Sequence, residues 1–321
     1  MLTLSRVADT LYWIARYLER AEHTARLVDT QLHLMLDQTP VSADQRWERI
    51  LRSLRVPIPQ SGKFEPYSLT HLLTFDTSND NSIVSCIAAA RENARHVREQ
   101  ISSEMWEQVN RLYFQVRQTY IDNLWDDQPH EFFRSVKEGI HLFQGITDST
   151  MNNGEGWQFI QLGRYTERAG AIARLLGSHY EAYANIPSQN TIVQDFMEWV
   201  GLLKSCTAYE AYCKVYLADL RSDCIAEFLL LNAEFPHSVR FSVDGIYSAL
   251  HSIAQSTESK RSKHVNRLAG RLRATLDYGV VDEILANGLH GYLEEIQQQC
   301  GKIHNAIYSA YITYPADDFV S

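Results

Sequence analysis

The sequence predicts an all-α fold, a multi-helix bundle formed by two duplicated helical halves, and three observations predict it. Gly and Pro are scarce, 15 and 8 in 321 residues, below the usual shares of roughly 7% and 5%. No segment alternates apolar and polar residues as a half-buried strand would. The motif Arg-Tyr-x-Glu-Arg-Ala occurs twice, at 16–21 and 164–169, each time within a helical pattern.

The two copies extend beyond the motif. With an offset of 148, residues 11–29 laid over 159–177 give 8 identities in 19 positions without a gap, among them Ala25/Ala173, Arg26/Arg174 and Leu27/Leu175. A weaker register at offset 156 aligns Ser82 with Ser238 and Asn110-Arg-Leu112 with Asn266-Arg-Leu268. A period this long points to duplication of a bundle-sized unit rather than a solenoid. The expected organisation is a first half at 1–150 and a second at 151–321, packed as one unit and joined near Asn152-Asn-Gly-Glu-Gly156.

Element by element, Ser5 is read as the cap of a first helix running to about Leu36, ended by the turn Asp37-Gln-Thr-Pro40. The segment from Val56 to Asn81, with Pro57, Pro59, Gly62 and Pro66, reads mostly as loop. Helices are expected at 83–102, 104–124 and 131–147 in the first half. In the second they are expected at 157–186, 191–217, 221–232, 240–256, 260–277 and 281–313.

Composition narrows the function classes. Hydrophobic residues at 45% and charged residues at 21% describe an ordinary globular chain. A net charge of −9 argues against general nucleic-acid binding, which requires a positive surface to release counterions. No apolar run approaches the ~20 residues of a membrane span, so no membrane association is expected. Neither is a secretory leader, because Asp9 interrupts the only candidate. The five cysteines, at 86, 206, 213, 224 and 300, are odd in number and none fall in a C-x-x-C pair. They suit a reducing cytoplasm and indicate neither disulfides nor zinc.

On a helical wheel, Leu11, Ile14, Leu18, Ala21, Ala25 and Val28 form an apolar stripe, while Arg16, Glu19, Glu22, His23 and Arg26 lie opposite. The second copy replaces Glu22 and His23 by Gly170 and Ala171 yet keeps Arg164, Glu167, Arg168 and Arg174. Retention of these four charges predicts that they are at least partly buried and paired, a role that suits the bidentate guanidinium. Two readings stay open. Glu19 and Glu167 clamp arginines to fix packing register, or the network including Arg20 and Arg168 lines a cleft that receives an anionic ligand. A catalytic carboxylate is a third, lesser reading.

A second candidate binding feature is the stripe Arg91, Arg95 and Arg98, clustered within about 60° on a helix, with Trp106 and Asn110 on the following helix placed to border it. The positions at offset 156 are Tyr247, His251 and Ala254, so the stripe belongs to one half. A solvated stripe paired with Glu92 or Glu99 is the plainer account. Lys260, Lys263, His264, Arg267 and Arg271 make a basic face that reads as solvated. Tyr209, Tyr212, Cys213 and Tyr216 read as core. Glu138-x-x-His141 has di-metal spacing, but its only partner, Glu234-Phe-Pro-His237, contains proline, so no metal and no cofactor are expected.

Leu18-Glu-Arg-Ala21, Gly163-Arg-Tyr-Thr-Glu-Arg-Ala169, Ala90-Arg-Glu-Asn-Ala-Arg95, Ser205-Cys-Thr-Ala-Tyr-Glu-Ala-Tyr212 and Phe235-Pro-His-Ser-Val-Arg240 together resemble the bacterial alpha-E family over nearly the whole chain. His237 and Lys214 depart from the family pattern, which usually has Arg at or near them. The resemblance implies a helical fold and a setting beside circularly permuted ATP-grasp ligases and transglutaminase-like peptidases. It implies no catalytic residue. The expected function is an accessory or scaffold component of a peptide- or amide-bond-forming system, whose arginine-rich surface takes an anionic small molecule, peptide or partner. The alternative is an enzyme acting on a peptide or acyl group between the halves.

Overall fold

A computed structural model describes residues 5–36, 41–59, 64–119, 121, 129–184, 192–217, 219–256 and 260–312. Fourteen α-helices and no strand occur among them. Two helices of 30 residues each, α1 (Ser5–Leu34) and α7 (Glu155–Ala184), run about 45 Å and form the central pair, which makes the most extensive packing in the molecule.

Each member of this pair belongs to a four-helix ring of its own. In the first, α4 (Ile83–His96) packs on α1 and on α5 (Ser103–Gln118), and α6 (Pro129–Thr150) closes the ring by contacting α5 and α1. In the second, α11 (Val239–Ser256) packs on α7 and on α12 (Lys260–Asp277). There α14 (Leu289–Ile307) closes the ring by contacting α12 and α7. Two further helices cross over: α2 (Ala43–Leu54) lies on α7, and α8 (Ile192–Ser205) lies on α1.

Shared packing buries α1 on nearly every side. Leu11, Ile14, Leu18, Ala21, Ala25 and Val28 are core, and so are Glu19, Glu22, His23 and Arg26 from the expected polar face. Local chemistry starts the outer helices. Ser42 and Gln45 form a reciprocal capping box for α2, and Ser82 and Ser102 accept the third backbone N–H of α4 and α5. These serines satisfy donors that a helix start would otherwise leave orphaned.

Several boundaries differ from expectation. Ser5 is the first residue of α1 rather than its cap, and the turn at 37–40 lies outside the described residues. The supposed loop 56–81 contains α3 (Pro66–Thr74), where Glu65 caps and Pro66 takes the first helical position. The helix α2 has no counterpart in the sequence reading, although its capping box is written at Ser42 and Gln45. The expected helix 191–217 is broken by Thr207 at φ 51° into α8 and α9 (Tyr209–Tyr216). Likewise 281–313 is broken by Gly288, at φ 99°, into α13 (Val281–Asn287) and α14. The remaining helix, α10, spans Ser222–Leu231, and a π-turn at Tyr308–Ile312 ends the described chain.

Candidate functional site

The backbones of the central helices come into contact where Gly163 meets α1. A Cβ at Gly163 would stand 2.1 Å from the Tyr12 carbonyl oxygen and 3.2 Å from the Ala15 side chain. Absence of that atom lets the backbones touch, and the motif glutamate one turn later on each helix then reaches across to the other. Glu19 accepts two hydrogen bonds from Arg168, from Nε at 2.5 Å and Nη2 at 2.9 Å. Glu167 accepts from Arg20 Nε at 2.8 Å and Nη2 at 3.1 Å, and from Arg16 Nε at 2.7 Å. Each Glu-Arg dipeptide therefore clamps the other, and the fork geometry suits the carboxylate.

Burial makes these contacts consequential. Desolvation alone would raise the Glu167 carboxyl, but the guanidiniums of Arg16 and Arg20 outweigh it and hold it well below the usual carboxylate range. For Glu22 the same contest runs between burial and Arg26 with His141, and it too ends low. Glu22 lies 3.3 Å from Arg26 and 2.7 Å from His141 Nε2. From this centre the network spreads outward. Arg20 donates to Asn81 Oδ1 at 2.6 Å, Arg168 to the Pro236 carbonyl at 3.0 Å, and Arg26 to Thr207 Oγ1 at 3.3 Å. His304 Nδ1 sits 2.8 Å from the Tyr12 hydroxyl and 3.1 Å from Arg16 Nη1. Burial, then Arg168, Arg26 and Arg164, push His237 well below the ordinary imidazole range. It is neutral and can accept from Arg26 Nη1, 3.2 Å away.

The charges do not balance. Arg16, Arg20, Arg26, Arg164, Arg168 and Arg174 face Glu19, Glu22 and Glu167, six guanidiniums to three carboxylates. Among the described residues, neither Arg164 nor Arg174 has a carboxylate within ion-pair distance. The buried Nε of Arg164 has no hydrogen-bond partner there, and its guanidinium lies over the Tyr165 ring at 5.4 Å. Arg174 donates Nε to the Ser53 carbonyl at 3.0 Å. Burial lowers its pKa to about 10; Glu167 opposes that, while Arg55, Arg20 and Arg16 add to it.

A family described as a predicted alpha-helical domain with a conserved ER motif matches residues 3–312. The chain belongs to the Alpha-E family. Uncharacterized proteins of Mycobacterium bovis and Mycobacterium tuberculosis are 21% identical to it over 325 aligned positions, covering 91% of this chain. The chain spans about a third of the length of these curated relatives, 34%. No solved structure matches it. The Glu-Arg pairs Glu19-Arg20 and Glu167-Arg168, which fit the family's motif, are the reciprocal clamp.

The second candidate feature of this Alpha-E chain is separate from the clamp. Arg91 donates Nε to Asn110 Oδ1 at 2.7 Å and lies over the rings of Tyr113, Trp106 and Phe114, 4.6–5.6 Å from their centroids. Arg98 covers Trp106 at 5.0 Å. Trp106 and Asn110 thus border the stripe as expected. Arg95, exposed, pairs with Glu92 of its own helix at 2.5 Å. The stripe faces α5 rather than the α1–α7 seam, so it and the buried glutamates do not converge on one cavity.

Other features resolve plainly. Tyr212 is core, stacked on Tyr216 and edge-on to Phe228, with Tyr209 and Cys213 partly buried beside it. Lys263, His264, Arg267 and Arg271 form an exposed face; the Lys260 side chain lies outside the described ones. Glu138 is 70% exposed while His141 turns to Glu22, so this pair does not share a site. All five cysteines are free, and burial raises Cys86 and Cys206 to about 12 and Cys300 to about 11, leaving them protonated thiols.

The sequence reading missed a further buried cluster. Glu198 of α8 pairs with Arg46 at 3.3 Å and with Arg49, both on α2. A cavity of about 40 Å³, room for a few waters, lies beside them between Leu27, Gln31, Ile50 and Leu175. Sequence offered one signal, a capping box followed by arginines at Arg46 and Arg49, but not their shared partner Glu198, 149 residues from Arg49.

Proposed function

We propose that this chain is an accessory, non-catalytic binding component that takes an anionic group, phosphate or carboxylate, at the Glu–Arg centre between α1 and α7. The observation that carries this reading is the excess of guanidinium over carboxylate in the buried network, with no carboxylate within ion-pair distance of Arg164 or Arg174 among the described residues. Isolated buried charge is unfavourable, and an anion seated against these arginines would relieve it. Arg16 and Arg20 keep 14% and 21% of their side chains exposed, which supports access from one rim.

On this reading the two rings are copies of one duplicated unit. Their matching order of packing, the crossed placement of α2 and α8, and the reciprocal clamp support that. The family resemblance supports a setting in peptide- or amide-bond formation beside an ATP-grasp ligase or a transglutaminase-like protein. Such partners handle phosphate- and carboxylate-bearing substrates, and free cysteines support a reducing compartment.

Inorganic phosphate is the direct probe. Titrated against sodium chloride at constant ionic strength, it should raise the melting temperature of the full chain, because a ligand of the folded state stabilises by mass action. Arg174→Gln should abolish that rise, while its melting temperature without phosphate stays at or above wild type. Equal phosphate and chloride responses in the wild-type chain, or a phosphate response retained by both Arg174→Gln and Arg164→Gln, would overturn the reading.

A further inference from the structure

The last turns of α1 and the first turn of α6 bring together three groups that the clamp does not use. Asp29 and His33 stand four residues apart and share a helical face. His130 presents Nδ1 to Asp29 Oδ1 at 2.7 Å, and His33 Nδ1 lies 3.5 Å from the same oxygen. The two imidazole rings approach to 3.4 Å between centroids. One ligating atom from each of the three residues lies within 4.8 Å of the others. The other carboxylate oxygen, Oδ2, accepts a hydrogen bond from Lys137 Nζ at 2.6 Å, which turns Oδ1 toward the histidines.

We propose that Asp29, His33 and His130 form a binding site for a divalent transition-metal ion of zinc's class, with solvent completing the coordination. Two imidazole nitrogens and one carboxylate oxygen suit such borderline ions, whereas calcium and magnesium favour all-oxygen shells. Metal–ligand bonds near 2.0–2.2 Å in a tetrahedron place ligand atoms about 3.4 Å apart. The His33 Nδ1–Asp29 Oδ1 spacing already meets that value, with Nδ1 turning to the metal from the Asp29 backbone carbonyl 2.8 Å away, and the His130–Asp29 contact needs to open by less than an ångström. Burial is graded suitably. The Asp29 side chain is 12% exposed, His130 34% and His33 56%, so the fourth position faces water. Lys137 is an outer partner that orients the carboxylate rather than a ligand. Bound there, the ion would pin the end of α1 to the start of α6.

Untagged full chain, stripped with a chelator, would be titrated with zinc by calorimetry and with cobalt as the optical probe. The expected result is one equivalent of zinc per chain and cobalt absorption typical of four-coordinate geometry. His33→Ala and His130→Ala should each weaken binding at least about tenfold, the lower end of what outer partners of a ligand alone contribute. Because His33 is exposed, His33→Ala should melt like wild type without metal. Absence of stoichiometric uptake would overturn the proposal. So would full affinity in His33→Ala, since the chain has 12 histidines and the metal would then be held elsewhere.

Discussion

Glu167 is the residue on which the most charge depends. It accepts from Arg16 and Arg20 across the seam, and substitution by glutamine leaves both guanidiniums buried without a full counter-charge. Breaking a buried pair from one side costs about 3–5 kcal/mol, so Glu167→Gln should lose that much in urea unfolding. Arg95→Ala removes an exposed pair within one helix, where such contacts contribute little, and should shift stability by less than about 0.5 kcal/mol. Comparable losses in the two variants would contradict the burial described for Glu167. Sequence comparison found these charges because Arg16, Glu19, Arg20 and Arg26 recur as Arg164, Glu167, Arg168 and Arg174, whereas Gly170 and Ala171 stand opposite Glu22 and His23. It could not find that Glu19 pairs with Arg168 rather than within its own helix, since that depends on the crossing at Gly163. His141, His237, His304 and Asn81 were invisible as network members for the same reason: His141 and His304 arrive from distant helices, and Asn81 and His237 from the turns before α4 and α11.

At the scale of the helix, the α1–α7 crossing rests on a single missing methyl group. Gly163→Ala would drive Cβ into the Tyr12 carbonyl, a backbone atom that cannot swing aside, so the helices must separate. Separation also lengthens the Glu19–Arg168 and Glu167–Arg20 bonds, which are set by that approach. The substitution should therefore destabilise by more than the 1–3 kcal/mol usual for overpacking, seen as a lower urea midpoint. A near-neutral Gly163→Ala would refute the close contact. Helix identity was legible because apolar spacing persists through α4, α5, α6, α11 and α12. The breaks at Thr207 and Gly288 were not, because apolar residues continue on both sides of each left-handed position. The helix α3 was masked by Pro66, which sequence reading takes as a breaker but which here opens the helix.

For the whole molecule, buried neutral histidines tie stability to pH. Burial, then Arg26 and Arg174, lower His23 to about 3, and burial with Arg49 takes His179 well below its ordinary value. An unfolded histidine titrates near 6.5. Below that pH the unfolded chain therefore binds protons that the folded chain refuses, and stability falls as pH falls. From pH 7 to 5.5 each such histidine should remove about 1 kcal/mol. Below about 4.5 the depressed Glu22 and Glu167 extend the decline with the same sign, since their contribution disappears as they protonate. Urea midpoints at pH 7 and 5.5 check this, and a flat profile would mean that these rings are charged or solvated in the folded state.

The reciprocal clamp also sets a clock. Glu19 meets Arg168 across 149 residues of chain and Arg16 meets Glu167 across 151. At a synthesis rate of about 5–20 residues per second, α1 leaves the ribosome roughly 7–30 seconds before its partner exists. During that interval its glutamates and arginines lack their partners on α7, and its apolar stripe has no α7 to cover it. The clamp at the centre of this protein thus waits for the middle of the chain, although α1 is made well before it.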